Sequence, residues 1–347
     1  MSGMIAPMSA LILNQHEIEE LLPMDACMDV VADALRTLAK GQAKNPLRTG
    51  MPLPGGGVLG LMPGSMESPA SLGLKIVAVF PSNHGTRYDS HQGLVVLFDT
   101  TNGAPIAILD AATITKIRTG AASGVATRLL ARGDAGDVAI IGSGVQATAH
   151  LAAMAAARTL RRVRVWSPNQ ERCSAFATRS TERHGIAVEV SPSAQAAVEG
   201  ADIVCTTTSS SDPVIKGAWI APGAHINAAG SSVKHARELD TDAVVMSRLF
   251  IDRRESAVNE AGDYLIPLAE GAVTEEHIIG EIGDLLLGQG EGRRSDDEIT
   301  LFKSLGLAVE DLSTASYLVD RARETGRGIE VEIGGIKDGF DGPDPAR

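Results

Sequence analysis

The segment Val138–Ala147, VAIIGSGVQA, constrains the fold of this chain more than any other part of the sequence. Four apolar, β-prone residues run directly into glycines, and the small and amphipathic residues of a helix start follow. Gly142, Gly144 and Ala147 form the pattern GxGxxA. Its glycines allow a tight turn and a close backbone approach to a pyrophosphate, and the small third residue lets the helix pack on the strand. The segment therefore predicts a dinucleotide-binding strand–turn–helix unit; a glycine turn that serves packing alone is the alternative.

Size, charge and cysteine usage limit the remaining possibilities. The chain has 347 residues, enough for one large or two smaller domains, and its net charge of -12 disfavours nucleic acid and anionic membranes as partners. Cys27, Cys173 and Cys205 are far apart and show no CxxC spacing, which is typical of a reducing compartment. Because the first residues lack a basic and apolar leader, we expect a cytoplasmic protein.

The two parts of the chain differ in organisation. The N-terminal third opens with a strand at 10–13, a helix capped by Asn14 and Glu17, and a helix at about 25–39, followed by strands joined through hairpin turns. After a boundary at about 120–135, short strands alternate with helices. This alternation predicts an α/β fold with a parallel sheet covered on both faces. A long helical pattern at 298–318 follows a short apolar start, and the last residues form a polar tail.

The end of the second strand of the dinucleotide unit bears on coenzyme choice. An NAD-selective site usually ends this strand in Asp or Glu, whereas the sequence here is VWSPN, with Ser167 at that position. Without a carboxylate a 2′-phosphate is admissible, so NADP(H) is preferred and NAD(H) is possible. Arg161, Arg162 and Arg164 on the same strand are interpreted as a solvated face.

Three basic residues lie in apolar or small-residue text in or near the N-terminal part: Arg48, Lys75 and Arg118. A guanidinium binds a carboxylate through two parallel hydrogen bonds, and an ammonium in apolar surroundings can shuttle a proton. The three together suggest a pocket for an amino or imino acid, although spacing alone favours a strand-face Lys75 with its head group in water. The sequence contains neither metal-ligand spacing among its histidines nor a GxSxG motif, so no metal site is predicted.

Over nearly its full length the chain resembles the ornithine cyclodeaminase/mu-crystallin family, and is most similar to its ketimine reductase side. The resemblance rests on SHQGLVVLFDTTNGAPIAILDAATITKIRTGAAS, AIIGSGVQA, EGADIVCTTT, IAPGAHINAAGSS and TLFKSLGLAVED. It implies a Rossmann-type doubly wound sheet at 126–305, and an α+β domain for substrate binding and dimerisation at 1–125 and 306–347. A homodimer is therefore expected.

The resemblance also implies roles for individual residues. Arg48 and Arg118 would hold the substrate carboxylate, Lys75 would be the catalytic residue near the imine nitrogen, and Leu305 would face the substrate. The implied cofactor-binding residues are Ser90, Arg118, Gly142, Ser143, Gly144, Val145, Gln146, Ser167, Thr208 and Ser304.

One position departs from the cyclodeaminases. Their segment corresponding to INAAGSS ends in an aspartate that handles the substrate amine, and Ser232 occupies that place here. A hydroxyl is neither a full counter-charge nor a general base near neutral pH, so Ser232 is expected to contact substrate without supporting cyclodeamination.

The expected activity is NAD(P)H-dependent reduction of a small α-imino acid, such as pyrroline-2-carboxylate or piperideine-2-carboxylate, to the amino acid. Two alternatives stay open: an ornithine cyclodeaminase or alanine-dehydrogenase-like enzyme, and a non-catalytic NADP-regulated binding protein of the mu-crystallin type. Glu260 and Asp263 are weak candidates for balancing positive charge, and are more readily interpreted as surface carboxylates.

Overall fold

A computed structural model describes residues 9–83 and 85–334. The strands are β1 (Ser9–Leu13), β2 (Ala43–Lys44), β3 (Thr49–Pro52), β4 (Val58–Glu67), β5 (Ala70–Val79), β6 (His91–Phe98), β7 (Pro105–Asp110), β8 (Asp137–Ile141), β9 (Arg162–Trp166), β10 (Val188–Val190), β11 (Ile203–Thr206), β12 (His225–Ala228), β13 (Arg248–Ile251), β14 (Ile278–Glu281), β15 (Thr300–Lys303) and β16 (Ile329–Glu332). The α-helices are α1 (Gln15–Leu21), α2 (Met24–Ala39), α3 (Ala111–Leu130), α4 (Val145–Ala157), α5 (Gln170–His184), α6 (Ala194–Val198), α7 (Thr241–Val245), α8 (Arg254–Glu260), α9 (Gly262–Ala269), α10 (Ile282–Leu286) and α11 (Ala308–Thr325).

The first sheet is mostly antiparallel, with strand order β16-β1-β7-β6-β5-β4-β2 and β3 paired to β4. Helices α2, α3 and α11 pack their apolar faces into one core with this sheet. The predicted capping box is present, because the Asn14 side chain accepts from the backbone N–H of Glu17 and the Glu17 carboxylate accepts from Asn14 N. Because α11 packs in this core, it brings the C-terminal part of the described chain back to the N-terminal strands.

The second sheet is parallel throughout, with strand order β10-β9-β8-β11-β12-β15-β13-β14. Its strands are buried on both faces: Val138 and Ile140 belong to one apolar core, and the alternate residues Ala139 and Ile141 belong to another. The chain runs outward from β8 to β10 on one side and from β11 onward on the other, so the strand order reverses between β8 and β11. This confirms the predicted doubly wound α/β fold. In such folds ligands bind at the carboxyl ends of the strands at this topological switch point, which are β8 and β11 here.

Some local predictions are wrong. The pattern at 298–318 is not one helix, because Thr300–Lys303 pairs into the parallel sheet as β15 and the helix begins only at Ala308. Arg164 is not on a solvated face but is buried, and its guanidinium donates to the backbone carbonyls of Ala196 and Glu199. The predicted polar tail beyond residue 334 and the stretch before Ser9 lie outside the described residues.

The three cysteines are buried free thiols. Burial raises the pKa of both Cys27 and Cys205 to about 12, which makes them poor thiolates. Within residues 9–83 and 85–334, none of the helices is long and apolar enough to cross a membrane.

Candidate functional site

The glycine loop lies between β8 and α4. Gly142 has φ +117°, a region that L side chains avoid, and an added Cβ would lie 2.7 Å from Thr207 Oγ1. At Gly144 an added Cβ would meet nothing within 4 Å, so this side of the loop is open. Helix α4 begins after Gly144 without a side-chain cap and without an acidic residue in its first turn. Its first N–H groups and positive dipole end therefore fit a pyrophosphate.

Ser167 stands at the end of β9 beside this loop. Its Oγ lies 2.8 Å from Ser143 Oγ and donates to the carbonyl of Asn169. The Asn169 side chain in turn accepts from Arg172 N at the start of α5. The two predicted residues Ser143 and Ser167 are thus in contact, and hydroxyls occupy the place where an NAD-selective site usually has a carboxylate.

The predicted basic residues Lys75 and Arg118 meet on one buried carboxylate. Lys75, from β5, lies with Nζ 2.7 Å from Asp311 Oδ2, and Arg118, from α3, lies with Nε 2.8 Å from Asp311 Oδ1. Arg118 Nη1 also lies 3.1 Å from Glu310 Oε2. Lys75 is only 3% exposed, so the interpretation of this lysine as a strand-face residue with its head in water is wrong. We call Lys75, Arg118, Glu310 and Asp311 the ion cluster.

Burial and mutual charge set the ionisation of the ion cluster. Burial lowers the pKa of Lys75 to about 8; Asp311 opposes this shift and Arg118 adds to it. Burial raises the pKa of Glu310 to about 7, against the influence of Arg118. Burial also acts to raise the pKa of Asp311, but the charges of Arg118 and Lys75 outweigh it and the net pKa is lowered. The cluster therefore keeps Asp311 ionised and poises an ammonium near neutral pH.

Arg48 reaches the same region from the loop before β3. Its Nη2 lies 2.8 Å from Glu260 Oε2 and donates to the carbonyls of Leu305 and Gly306 at 2.8 and 3.3 Å. Asp252 fixes this turn, because its Oδ2 accepts from the N–H groups of Leu305 and Gly306 at 2.6 and 2.8 Å. All of these Arg48 contacts use Nη2, which leaves the Nε and Nη1 groups for a ligand carboxylate.

The turn that holds Arg48 also touches Arg118. Gly306 has φ +78°, and an added Cβ would lie 2.5 Å from Arg118 Nη1. The structure thus brings together four predicted substrate residues, which are Arg48, Lys75, Arg118 and Leu305.

Thr115 joins the ion cluster to the glycine loop. Its Oγ1 accepts from Lys75 Nζ at 3.3 Å, and its carbonyl accepts from Gln146 Nε2 at 3.4 Å. Gln146 Oε1 and Ser304 Oγ are buried and have no hydrogen-bond partner in the described part of the chain. Buried polar atoms are usually paired, so these two fit a site that a polar ligand completes.

The other predicted residues are placed less directly. Ser90 Oγ lies 3.0 Å from Nδ1 of the adjacent His91, and Thr208 N donates to a carboxylate of Glu238 at 2.6 Å. Ser232 is half-buried in the segment after β12. In the residues described, no hydrogen bond joins the side chains of Ser90 or Ser232 to Arg48, Lys75 or Arg118.

Several acidic residues were misjudged or missed. The interpretation of Glu260 and Asp263 as surface carboxylates is wrong: Glu260 pairs with Arg48, and Asp263 is buried against Lys303 at 2.9 Å. Sequence reasoning gave no role to Glu310, Asp311 or Asp252. The dipeptide Glu310-Asp311 within the apolar text GLAVEDLSTA was the available signal, since charge in such surroundings is the criterion that identified the basic residues.

A doubly wound sheet with a glycine loop at its switch point defines a Rossmann-type dinucleotide-binding protein. The buried guanidinium and ammonium groups beside that loop are of the kind that binds a small carboxylate. The model of the Ornithine cyclodeaminase/mu-crystallin family matches residues 8–326, and the chain belongs to this family.

Named relatives of similar length match the chain. It is 37% identical over 325 residues to a Delta(1)-pyrroline-2-carboxylate reductase of Bacillus cereus, covering 93% of this chain and 100% of that one. It is 37% identical over 313 residues to the ketimine reductase mu-crystallin of Mus musculus, covering 89% and 96%. The structure of Thermococcus litoralis Delta(1)-pyrroline-2-carboxylate reductase in complex with NADH and L-proline superposes with a TM-score of 0.90 at 39% identity, covering 92% of this chain and 100% of that one.

Proposed function

We propose that this chain is an NAD(P)H-dependent oxidoreductase that reduces a small α-imino acid, such as Delta(1)-pyrroline-2-carboxylate, to the amino acid. The observation that carries the proposal is the convergence of Arg48, Lys75 and Arg118 on one region of the structure, joined to the glycine loop through Thr115. The named functions of the reductases of Bacillus cereus, Mus musculus and Thermococcus litoralis support it.

The guanidinium groups supply binding and orientation. Arg48 has two donor groups free of the contacts that hold its Nη2, and Arg118 is fixed at Nε and Nη1 by carboxylates, which leaves its Nη2. A substrate carboxylate held between them has a defined plane, and this presents the adjacent C=N carbon in one orientation.

Lys75 supplies the proton. When bound, the reduced nicotinamide coenzyme supplies a hydride to the imine carbon, and the imine nitrogen takes up a proton to give the amine. The Lys75 ammonium, whose pKa of about 8 lies close to neutral pH, is suited to donate that proton. Asp311 holds the ammonium in place, and the buried surroundings exclude bulk water.

We further propose NADP(H) as the preferred coenzyme, with NAD(H) also accepted. Support comes from Ser143 and Ser167, whose hydroxyls stand where a carboxylate would repel a 2′-phosphate. The exposed Arg172 at the start of α5 is a candidate partner for that phosphate.

The proposed domain division places residues 1–125 and 306–347 in the substrate-binding domain and residues 126–305 in the Rossmann domain. Exposed apolar side chains on neighbouring strands of the first sheet, Met51 and Leu61 on β3 and β4 and Leu72 and Leu94 on β5 and β6, support a homodimer through this sheet. Sedimentation equilibrium at micromolar concentration tests the dimer.

A matrix of coenzymes and substrates tests the activity. The purified chain is assayed with NADPH and NADH against cyclic imines, against mixtures of an α-keto acid with an amine, and, in the oxidative direction, against L-ornithine with NAD+. Loss of reduced coenzyme with pyrroline-2-carboxylate is the expected result. The proposal would be overturned if the chain formed proline and ammonia from L-ornithine faster than it reduced any imine, or if it turned over no imine at all.

A further inference from the structure

A fully buried carboxylate ties together the carboxyl ends of two central strands. Glu238 Oε1 accepts from Thr208 N at 2.6 Å, and Glu238 Oε2 accepts from Thr206 Oγ1 and Gly230 N, each at 2.7 Å. Thr206 is the last residue of β11, Thr208 lies in the loop after it, and Gly230 follows β12. Both oxygens of Glu238 are therefore used to hold the two loops against each other.

A second buried ion pair, Asp263 with Lys303, holds the backbone at Glu238 in place. Asp263 Oδ1 accepts from the backbone N–H groups of Glu238 and Leu239 at 2.8 and 3.0 Å. Asp263 Oδ2 lies 2.9 Å from Lys303 Nζ, and Lys303 also donates to the carbonyls of Ala228 and Ser231. The network thus joins the ends of β11, β12 and β15.

The loops held by Glu238 adjoin the glycine loop. Thr207 packs against Gly142 so closely that a Cβ there would lie 2.7 Å from Thr207 Oγ1, and Thr207 N donates to the carbonyl of Ile141. Gly230 is closer still to Thr208, since an added Cβ would lie 2.3 Å from the Thr208 carbonyl. In a doubly wound sheet a dinucleotide lies across the switch point, with its phosphates at the loop after the first strand, which is β8 here. The loops after β11 and β12 lie on the other side of the switch point, where the second half of the dinucleotide is bound.

We propose that Glu238 is a positioning residue that sets where the nicotinamide ring rests, by fixing the loops after β11 and β12 through their backbone N–H groups. This inference rests on the proposed function, since it presumes a nicotinamide dinucleotide at the glycine loop. Glu238 is enclosed by the donors it holds and does not touch the reacting atoms.

The three donors require a carboxylate. An amide offers a single acceptor oxygen, so Glu238→Gln directs an NH₂ group at Thr208 N or at Gly230 N and Thr206 Oγ1. A buried donor left without an acceptor is costly, and the loops are expected to separate to relieve it.

The test compares each full coenzyme with its form lacking the nicotinamide ring. Dissociation constants are measured by fluorescence titration or calorimetry for NADPH and 2′-phospho-ADP-ribose, and for NADH and ADP-ribose, on wild type, Glu238→Gln and the exposed control Glu182→Gln. Glu238→Gln is expected to weaken binding of the full coenzyme at least tenfold and to change binding of the ADP-ribose analogues less than twofold. Glu182→Gln is expected to match wild type.

A milder variant covers the case in which Glu238→Gln does not fold. Thr206→Val removes one donor and keeps the side-chain volume, so it should lower the affinity for the full coenzyme severalfold without affecting the analogue. Equal weakening of coenzyme and analogue, or no weakening of either, overturns the positioning role. A wild-type chain that binds coenzyme but reduces no imine overturns the proposed function alone, because the affinity ratio still tests Glu238.

Discussion

Replacing Asp311 by Asn tests how the ion cluster tunes the proton donor. The substitution keeps the side-chain volume but removes the charge that faces Lys75 Nζ at 2.7 Å and Arg118 Nε at 2.8 Å. At an effective dielectric constant of about 20, a unit charge pair at this distance interacts by about 6 kcal/mol. Breaking a buried pair costs about 3–5 kcal/mol in practice, and we take about 3 kcal/mol as the part that stabilises the ammonium.

That loss changes the pH dependence in a definite direction. In the wild type, Lys75 is an ammonium below its pKa of about 8, so imine reduction should decline as pH rises through that value. Without Asp311 the neutral amine is favoured, because burial and the charge of Arg118 still lower the pKa. A loss of about 3 kcal/mol corresponds to about two pH units, so the basic limb of kcat/KM should move down by about that amount, with a loss of about tenfold or more at pH 7.5.

The assay is a kcat/KM profile for pyrroline-2-carboxylate from pH 5 to 9.5 at saturating coenzyme. Asp320→Asn, an exposed carboxylate on the same helix, is the matched control and should keep the wild-type profile. Thermal unfolding is measured at each pH to check that Asp311→Asn is folded under the conditions of the assay. A variant with undiminished activity and an unmoved basic limb would refute the assignment of Lys75 as the proton donor held by Asp311.

Three further predictions concern binding. Glu260→Gln should raise KM for the imino acid about tenfold with a smaller change in kcat, because an amide holds Arg48 less firmly; steady-state kinetics check this, and an unchanged KM contradicts it. Gly142→Ala should weaken coenzyme binding about tenfold or more in fluorescence titration, since φ is +117° and the new methyl would meet Thr207; wild-type affinity would contradict the phosphate-loop role. Ser167→Asp should shift the kcat/KM ratio toward NADH by about tenfold, because the new carboxylate repels a 2′-phosphate; a constant ratio would show that Ser167 does not border it.

The parallel sheet could be predicted because its physical signals are local. A short apolar strand, a glycine turn and a helix start are all contained in Val138–Ala147. Short strands alternate with helices along the rest of this part of the chain, and that alternation predicts a parallel sheet. The strand at Thr300–Lys303 was missed because four residues with two apolar side chains, TLFK, match a buried strand and a helix turn equally well.

The candidate site was predicted only on its basic side. Lys75 and Arg118 stand out as charges in apolar text, but their burial depends on α11, which is about 200 residues away in sequence and brings Glu310 and Asp311 to them. No local pattern specifies such a pairing, because the partners become neighbours only when the chain folds. The same reason explains why Glu260 and Asp263 were taken for surface residues.

Transfer of a labelled hydride shows whether this chain reduces an imino acid, and a Lys75 variant shows whether that lysine supplies the proton. The chain is incubated with pyrroline-2-carboxylate and a nicotinamide coenzyme deuterated at the transferring position of C4, and the product is analysed by mass spectrometry and NMR. We expect proline that carries one deuterium at C2, together with a loss of at least a hundredfold in rate for Lys75→Met. Proline without deuterium, no proline at all, or a Lys75→Met variant with the full rate would contradict it.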